Sequence, residues 1–341
     1  MSTLAAWLLT YLLHSTLLLG GALALRLILG ERRLAVQEAV IRAALVGGFL
    51  TASLQIGLGL QPMGGVFSVA TEPAAVSPAV PAVPPAAALQ PTARMVSGSL
   101  PEVVAEMRAG GVDTEVSEGW TLPPAHVWPP VLLGLWAAIA LLGLGRLGVA
   151  AVRLRRMLSP RHPIVLKELA SQAAALATGL GLRRGVPLST APRLEVPLAM
   201  GVLRPEVCLP PRALDELEGD QQVALCAHEL AHVARRDPAW ILVARLVEAV
   251  APLQPLNRWA RRRLQDLAEC LSDDLAVAAS GRPERLARSL VDVASWTVAD
   301  AVPFPAVAAG ALSARSRLGH RVERLMDPLR ALERPGRMLL P

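Results

Sequence analysis

Ala224-Leu-Cys-Ala-His-Glu-Leu-Ala-His-Val-Ala-Arg-Arg-Asp237 is the stretch on which the reading of this chain turns. With Asp220 as the expected cap, apolar Val223, Leu225, Leu230 and Val233 predict a helix. On that helix His228 and His232 lie four residues apart and share a face, where two imidazoles can hold one zinc ion. Glu229, next to the first histidine, is placed to act as general base toward an attacking water. The stretch therefore implies zinc-assisted hydrolysis of a peptide bond. Three fixed positions in five also arise by chance, so the surroundings have to decide.

A metal held by two histidines needs a third protein ligand. The gluzincin solution is a Glu on a following helix, with an Asp one turn later that hydrogen-bonds a ligand histidine. Residues 258–279 predict such a helix, with Pro255-Leu256-Asn257 ending the helical segment before it. Glu269 and Asp273 lie four apart on one face of it, Glu269 as the third ligand and Asp273 as the orienting residue. The same acids also fit a solvated stripe paired with Arg261, Arg262 and Arg263, and Asp266 and Asp274 offer other carboxylates nearby.

Around this motif the chain is very apolar: 53% of its 341 residues are hydrophobic and 18% charged, with a mean hydropathy of +0.43. That is a membrane composition. Leu4–Leu25, Ala43–Leu60 and Val127–Gly145 carry no charge, and each is long enough to cross a hydrocarbon core of about 30 Å. The first lacks a basic start and a small-residue cleavage site, so it reads as a retained span rather than a signal peptide. Arg26, Arg32, Arg33 and Arg42 flank the link between the first two spans, and Arg146, Arg153, Arg155, Arg156 and Arg161 follow the third. Segment 61–126 holds only Arg94 and Arg108 against six acids. The positive-inside bias then puts the N-terminus and this segment outside the membrane and everything after about residue 150 in the cytoplasm. Between Pro73 and Pro91 the outer segment is an Ala/Val/Pro tract, read as an extended tether more than as a sensor.

The pI of about 10.4 does not indicate direct nucleic-acid binding. Lys167 is the only lysine among the 34 basic residues, the excess lies where anionic lipid would attract it, and aromatics make up 3% of the chain. Cys208, Cys226 and Cys270 form no CxxC pair, and Cys226 and Cys270 read as packed thiols. His14, inside the first span, reads as a hydrogen-bonding partner between helices. Residues 164–180 predict an amphipathic helix, 186–190 a short strand, and Val196–Pro210 a β-hairpin turning near Arg204-Pro205. An edge strand just before the metal helix suits a peptide substrate, which adds to it as a further strand.

Taken together, Pro197-Leu-Ala-Met-Gly-Val-Leu-Arg-Pro-Glu-Val-Cys-Leu-Pro210, Ala227–Asp237, and Pro255–Arg263 leading to Glu269-Cys-Leu-Ser-Asp273 resemble the membrane zinc metallopeptidases of the BlaR and MecR antirepressor kind. The resemblance covers roughly residues 1–300. It implies that His228, His232 and Glu269 bind Zn2+, that Glu229 is the catalytic base and that Asp273 is the orienting residue. Where the family usually carries Cys before that Asp, this chain has Ser272, a change expected to be harmless. The β-lactam receptors continue through a further span into an external penicillin-binding sensor. Here Ala301–Ala314 is too short and too Pro-interrupted to span, and the chain stops at Pro341, so sensing through an acylated serine is not expected. Residues 320–326 resemble the basic terminal helix of shorter relatives.

The expectation is therefore a multi-pass α-helical membrane protein with a cytoplasmic α+β gluzincin (HExxH) metallopeptidase domain, in a bacterial inner (plasma) membrane. Residues 1–60 form two spans, 61–126 the outer loop, 127–150 the third span, 151–300 the peptidase domain, and 301–341 a terminal loop and basic helix. The expected partners are the lipid bilayer and a protein or peptide substrate, either a cytosolic transcriptional repressor or the protein's own chain. A housekeeping membrane protease of the CAAX-processing or heat-shock kind, or a catalytically silent receptor held together by zinc, are the other readings.

Overall fold

The computed structural model describes residues 2–59, 128–299 and 317–327. Segment 61–126, expected as the outer loop, and the apolar stretch 301–314 lie outside the described residues. Among the described residues three helices are long and apolar enough to cross a membrane: α1 (Ser2–Leu29), α2 (Leu34–Gly57) and α3 (Trp128–Met157).

Helices α1 and α2 form an antiparallel pair. Trp7 Nε1 donates to Ser53 Oγ (3.1 Å), and His14 Nδ1 lies 2.9 Å from Thr51 Oγ1, the interhelical bond expected of that histidine. Gly48 makes the close approach possible, because a Cβ there would meet Ser15 Cβ at 3.0 Å. The turn between the two helices runs through Gly30 and Arg33, both at positive φ. Gln37 ties it down by donating to the carbonyls of Gly30 (2.8 Å) and Arg32 (2.9 Å).

The remainder of the described chain continues with β1 (His162–Pro163), α4 (Lys167–Gly179), β2 (Leu188–Thr190), β3 (Leu198–Met200), β4 (Glu206–Leu209), α5 (Pro211–Asp215), α6 (Gly219–Ala234), α7 (Asp237–Val250), α8 (Pro255–Ser280) and α9 (Pro283–Ala299). A last helix, α10, covers residues 317–326. The four strands make one sheet in the order β1-β2-β4-β3, with β2 and β4 parallel and the other pairs antiparallel. The predicted hairpin is β3–β4, with Ala199 opposite Val207. Its turn needs Gly201, at φ 85, where any Cβ would sit 2.1 Å from the Arg204 carbonyl oxygen. Because β3 ends the strand order, it is the edge strand of the hairpin.

Helix α6 is the centre around which these elements pack. It is buried on nearly every side, which only a helix rich in Ala, Leu and Cys tolerates without a polar face. Cys226, Leu230, Val233 and Ala234 meet α4 and the sheet, while Ala224 and Ala227 meet α9, α10 and the end of α8 through Leu286, Leu290, Leu325 and Ala276. Helices α7 and α8 return as a hairpin that lies along α1 and α2. Leu19, Ile41 and Leu45 are buried against Ala244, Val247, Leu264 and Leu271. At the hairpin tip Asn257 Nδ2 donates to Tyr11 Oη (3.1 Å) and Gln254 Nε2 to Ser15 Oγ (2.8 Å). The apolar N-terminal pair and the helices that follow the motif therefore share one core.

Four local expectations change. Asp220 does not cap α6: Glu218 does, in a capping box with Gln221, and Asp220 pairs with Arg282 instead. Pro255 does not end a helix but starts α8 at its first turn, where a missing N–H costs nothing, with Gln254 Oε1 accepting from the Leu256 N–H. Residues 164–166 are not helical, with Leu166 extended, so α4 begins only at Lys167. The short strand begins at Leu188, two residues later than expected.

Candidate metal centre

The four-residue spacing on α6 stacks His228 and His232 with ring centroids 4.7 Å apart and their planes nearly perpendicular. Their Nε2 atoms lie 3.2 Å from each other. Glu269 enters from α8, with Oε2 3.5 Å from His228 Nε2 and Oε1 3.9 Å from His232 Nε2. Zinc–ligand bonds of about 2.0–2.2 Å in a tetrahedral arrangement put ligand atoms roughly 3.3–3.6 Å apart. One donor atom from each residue lies within 4.8 Å of the other two, a cluster somewhat wider than that spacing, and their chemistry, two imidazoles and a carboxylate, suits zinc.

Each ring is also turned by a carboxylate behind it. Asp273, one turn after Glu269 on α8, has Oδ1 3.0 Å from His228 Nδ1. Asp237 does the same for His232, with Oδ2 2.9 Å from Nδ1. Asp237 holds His232 Nδ1 in a hydrogen bond, and the Asp273 carboxylate lies against His228 Nδ1 as an ion-pair contact, which leaves both Nε2 atoms for a metal. Asp237 was not singled out in the sequence. It arrives through a sharp turn, where Arg236 at φ 57 ends α6 and starts α7. Its position five residues after the second histidine and directly before Pro238 was the available signal. Ser272 is engaged here too: its Oγ donates to Asp237 (3.3 Å) and lies 3.1 Å from His232 Nδ1.

Two arginine clusters close the shell around the centre. Asp237 is paired with Arg235 (3.1 Å) and with Arg42 of α2 (3.0 Å), and both arginines also reach Glu38 of α2. On the other side Arg321, from α10, grips Asp273 in a fork, with Nε to Oδ2 and Nη2 to Oδ1 both at 2.8 Å. Its Nη1 lies 2.8 Å from Glu269 Oε2, and Nη2 lies 3.4 Å from His228 Nε2. Arg324 of the same helix pairs with Asp274 (2.6 Å). The basic terminal helix read at residues 320–326 was the only signal covering Arg321, whose partners are reached through packing of α10 on α8 and α9.

The acids of α8 thus do not form the solvated stripe that their spacing also allowed. Arg261 pairs with Glu248, Arg263 reaches Gln37 and Glu31, and Arg262 is exposed.

The electrostatics follow from this crowding. Burial raises the Asp273 carboxyl, but Arg321 and then His228 outweigh it and bring it down to about 2. Burial disfavours a charged His228, yet Asp273 and Glu269 more than compensate and raise it to about 10. Desolvation raises the Glu269 carboxyl, but His228 and then Arg321 outweigh it and hold it below the usual carboxylate range. Glu229 is buried on α6, and among the described residues no hydrogen bond or ion pair engages its carboxylate.

No curated protein matches the chain. The family model described as BlaR1 peptidase M56 does match, over residues 72–325. That stretch holds α6, α8 and the segment of α10 that carries Arg321. With most of its length matched by that model, the chain belongs to the BlaR1 peptidase M56 family.

Proposed function

We propose that this peptidase is a zinc-dependent endopeptidase of the bacterial inner membrane that cuts a cytosolic repressor-like protein or its own chain. The observation that carries the reading is the donor trio His228, His232 and Glu269, spaced for one ion, with a carboxylate behind each imidazole. When bound, zinc supplies a Lewis acid that polarises the scissile carbonyl and acidifies the attacking water.

The chain's own residues do the rest. Asp273 and Asp237 fix the ring orientations, so the site is built before substrate arrives. Glu229, buried and free of a partner among the described residues, takes the proton of the attacking water and passes it to the leaving amine. The substrate lies along the edge strand β3, where backbone hydrogen bonds hold it largely regardless of its side chains.

Orientation rests on the arginines. Their excess in residues 26–42 and 146–161 supports an N-terminus outside and a peptidase domain in the cytoplasm. The pairing of Glu38 and Arg42 with Arg235 and Asp237 fits a site at the cytoplasmic end of α2.

Mass spectrometry of protein termini tests the function and names the substrate. Cells carrying the wild type should contain new termini that are missing from cells carrying Glu229→Gln at equal abundance. Identical termini in both would remove the catalytic reading.

A further inference from the structure

We propose that Arg321 is a catalytic residue that donates hydrogen bonds to the scissile carbonyl oxygen as that oxygen becomes anionic. The inference rests on the peptidase reading above and adds the group that stabilises the transition state.

Three observations carry it. First, the guanidinium is fixed. The two-point fork on Asp273 sets both the position and the plane of the group, and Asp273 is itself held against His228. Second, its remaining N–H groups face the donor trio. Nη1 carries two N–H groups, of which Glu269 Oε2 takes one. Nη2 spends one on Asp273 and lies 3.4 Å from His228 Nε2. A ring nitrogen whose lone pair binds a metal has none left for a hydrogen bond, so that donor is released once the site is loaded. Two N–H groups of a largely buried cation then converge beside the metal position without an acceptor of their own, and a buried donor left unpaired is costly. A substrate oxygen supplies the acceptor. Third, the place is reachable. The Arg321 side chain is 15% exposed and that of Glu269 42%, whereas those of His228 and Asp273 are 4% and 2%. The open side of the trio is therefore the side that Arg321 faces.

Competing donors are poorly placed among the described residues. The single tyrosine, Tyr11, is bonded to Asn257 at the tip of the α7–α8 hairpin. His320, next in sequence, is exposed. Arg235 and Arg42 pair with Asp237 and Glu38 behind His232, and Arg324 pairs with Asp274 and the Cys270 carbonyl.

The alternative role for Arg321 is a brace for Asp273, and the two roles separate in one experiment. Full-length wild type, Arg321→Ala, Arg321→Lys and Asp273→Asn are purified in detergent. Zinc affinity is measured by chelator competition. At saturating zinc, the turnover of fluorescein-labelled casein and the affinity of a phosphinic pseudotripeptide, whose phosphinate mimics the tetrahedral anion, are then compared. For Arg321→Ala we expect zinc affinity to fall less than tenfold, while turnover and phosphinate affinity both fall by about 100-fold or more, the usual cost of one lost oxyanion donor. Millimolar methylguanidinium should restore part of the turnover. Arg321→Lys, which keeps the charge and a bond to Asp273, guards against misfolding and should show a smaller loss of the same kind. Asp273→Asn should instead lose zinc affinity by roughly 10- to 100-fold. If Arg321→Ala matches Asp273→Asn in zinc affinity and binds phosphinate like the wild type once saturated, Arg321 is only a brace and the proposal falls. Should the zinc-saturated wild type bind no phosphinate and cut no casein, the peptidase reading itself fails.

Discussion

His228 shows how much of a metal site consists of groups that never touch the metal. Its ring is only 4% exposed, with Asp273 behind Nδ1 and Arg321 beyond that, so its orientation is settled before any ion is present. Glu269 is different: at 42% exposed it is the outermost of the three donors. Each substitution should therefore have its own signature. His228→Ala or His232→Ala should lower bound zinc by orders of magnitude, and Glu269→Ala should do so too, though less sharply. Glu229→Gln should keep zinc at the wild-type level and lose hydrolysis. Zinc measured by atomic absorption after gel filtration, set beside peptide cleavage, checks this. Equal zinc in Glu269→Ala and wild type would move the third ligand to another carboxylate of α8.

At the scale of elements, the turn from α6 to α7 couples the centre to α2. Arg42 and Glu38 of α2 meet Arg235 and Asp237 with side chains between 2% and 11% exposed, and Arg42 also lies over the Trp240 ring at 5.0 Å. Replacing Arg42 with Met leaves two buried carboxylates to share Arg235. Thermal unfolding in detergent should show a loss of about 1.5–3 kcal/mol. Zinc affinity should fall with it, because Asp237 loses a partner that holds it against His232. A melting temperature unchanged from wild type would mean that the network is solvated and carries little. The edge strand gives a second test. Ala199→Pro on β3 removes a backbone donor and should abolish cleavage at wild-type zinc content, while Ala199→Ser should cleave normally.

These elements also mark where the sequence was legible. Spacing within one helix sufficed for His228 with His232 and for Glu269 with Asp273, because helical periodicity is local. The hairpin was legible because Gly201 and Pro205 punctuate it. The cap of α6 was misread because Glu218 and Gln221 form a reciprocal pair, whereas Asp220 only carries the commoner cap side chain. Asp237 with Arg42, and Asp273 with Arg321, join residues 195 and 48 positions apart. No periodicity reports such contacts, which exist only once α2 and α10 have packed.

The largest scale concerns which side of the membrane holds the centre. The hairpin of α7 and α8 is buried along α1 and α2, so the N-terminal pair cannot be a cleaved leader without exposing Ile41, Leu45, Leu264 and Leu271. Labelling can separate the two faces, because the native thiols are silent: Cys208, Cys226 and Cys270 are all buried, and burial pushes the Cys226 thiol up to about 12. Ser171, exposed on α4, and Ser97 in segment 61–126 offer positions for a single added cysteine. If the arginine excess sets the orientation, an impermeant maleimide should label Ser97→Cys in cells whose outer barrier is opened. It should label Ser171→Cys only after the inner membrane is lysed. Wild type should give the background in both conditions. Labelling of Ser171→Cys in intact cells would put the peptidase domain outside, and a cytosolic repressor would then be out of reach as a substrate.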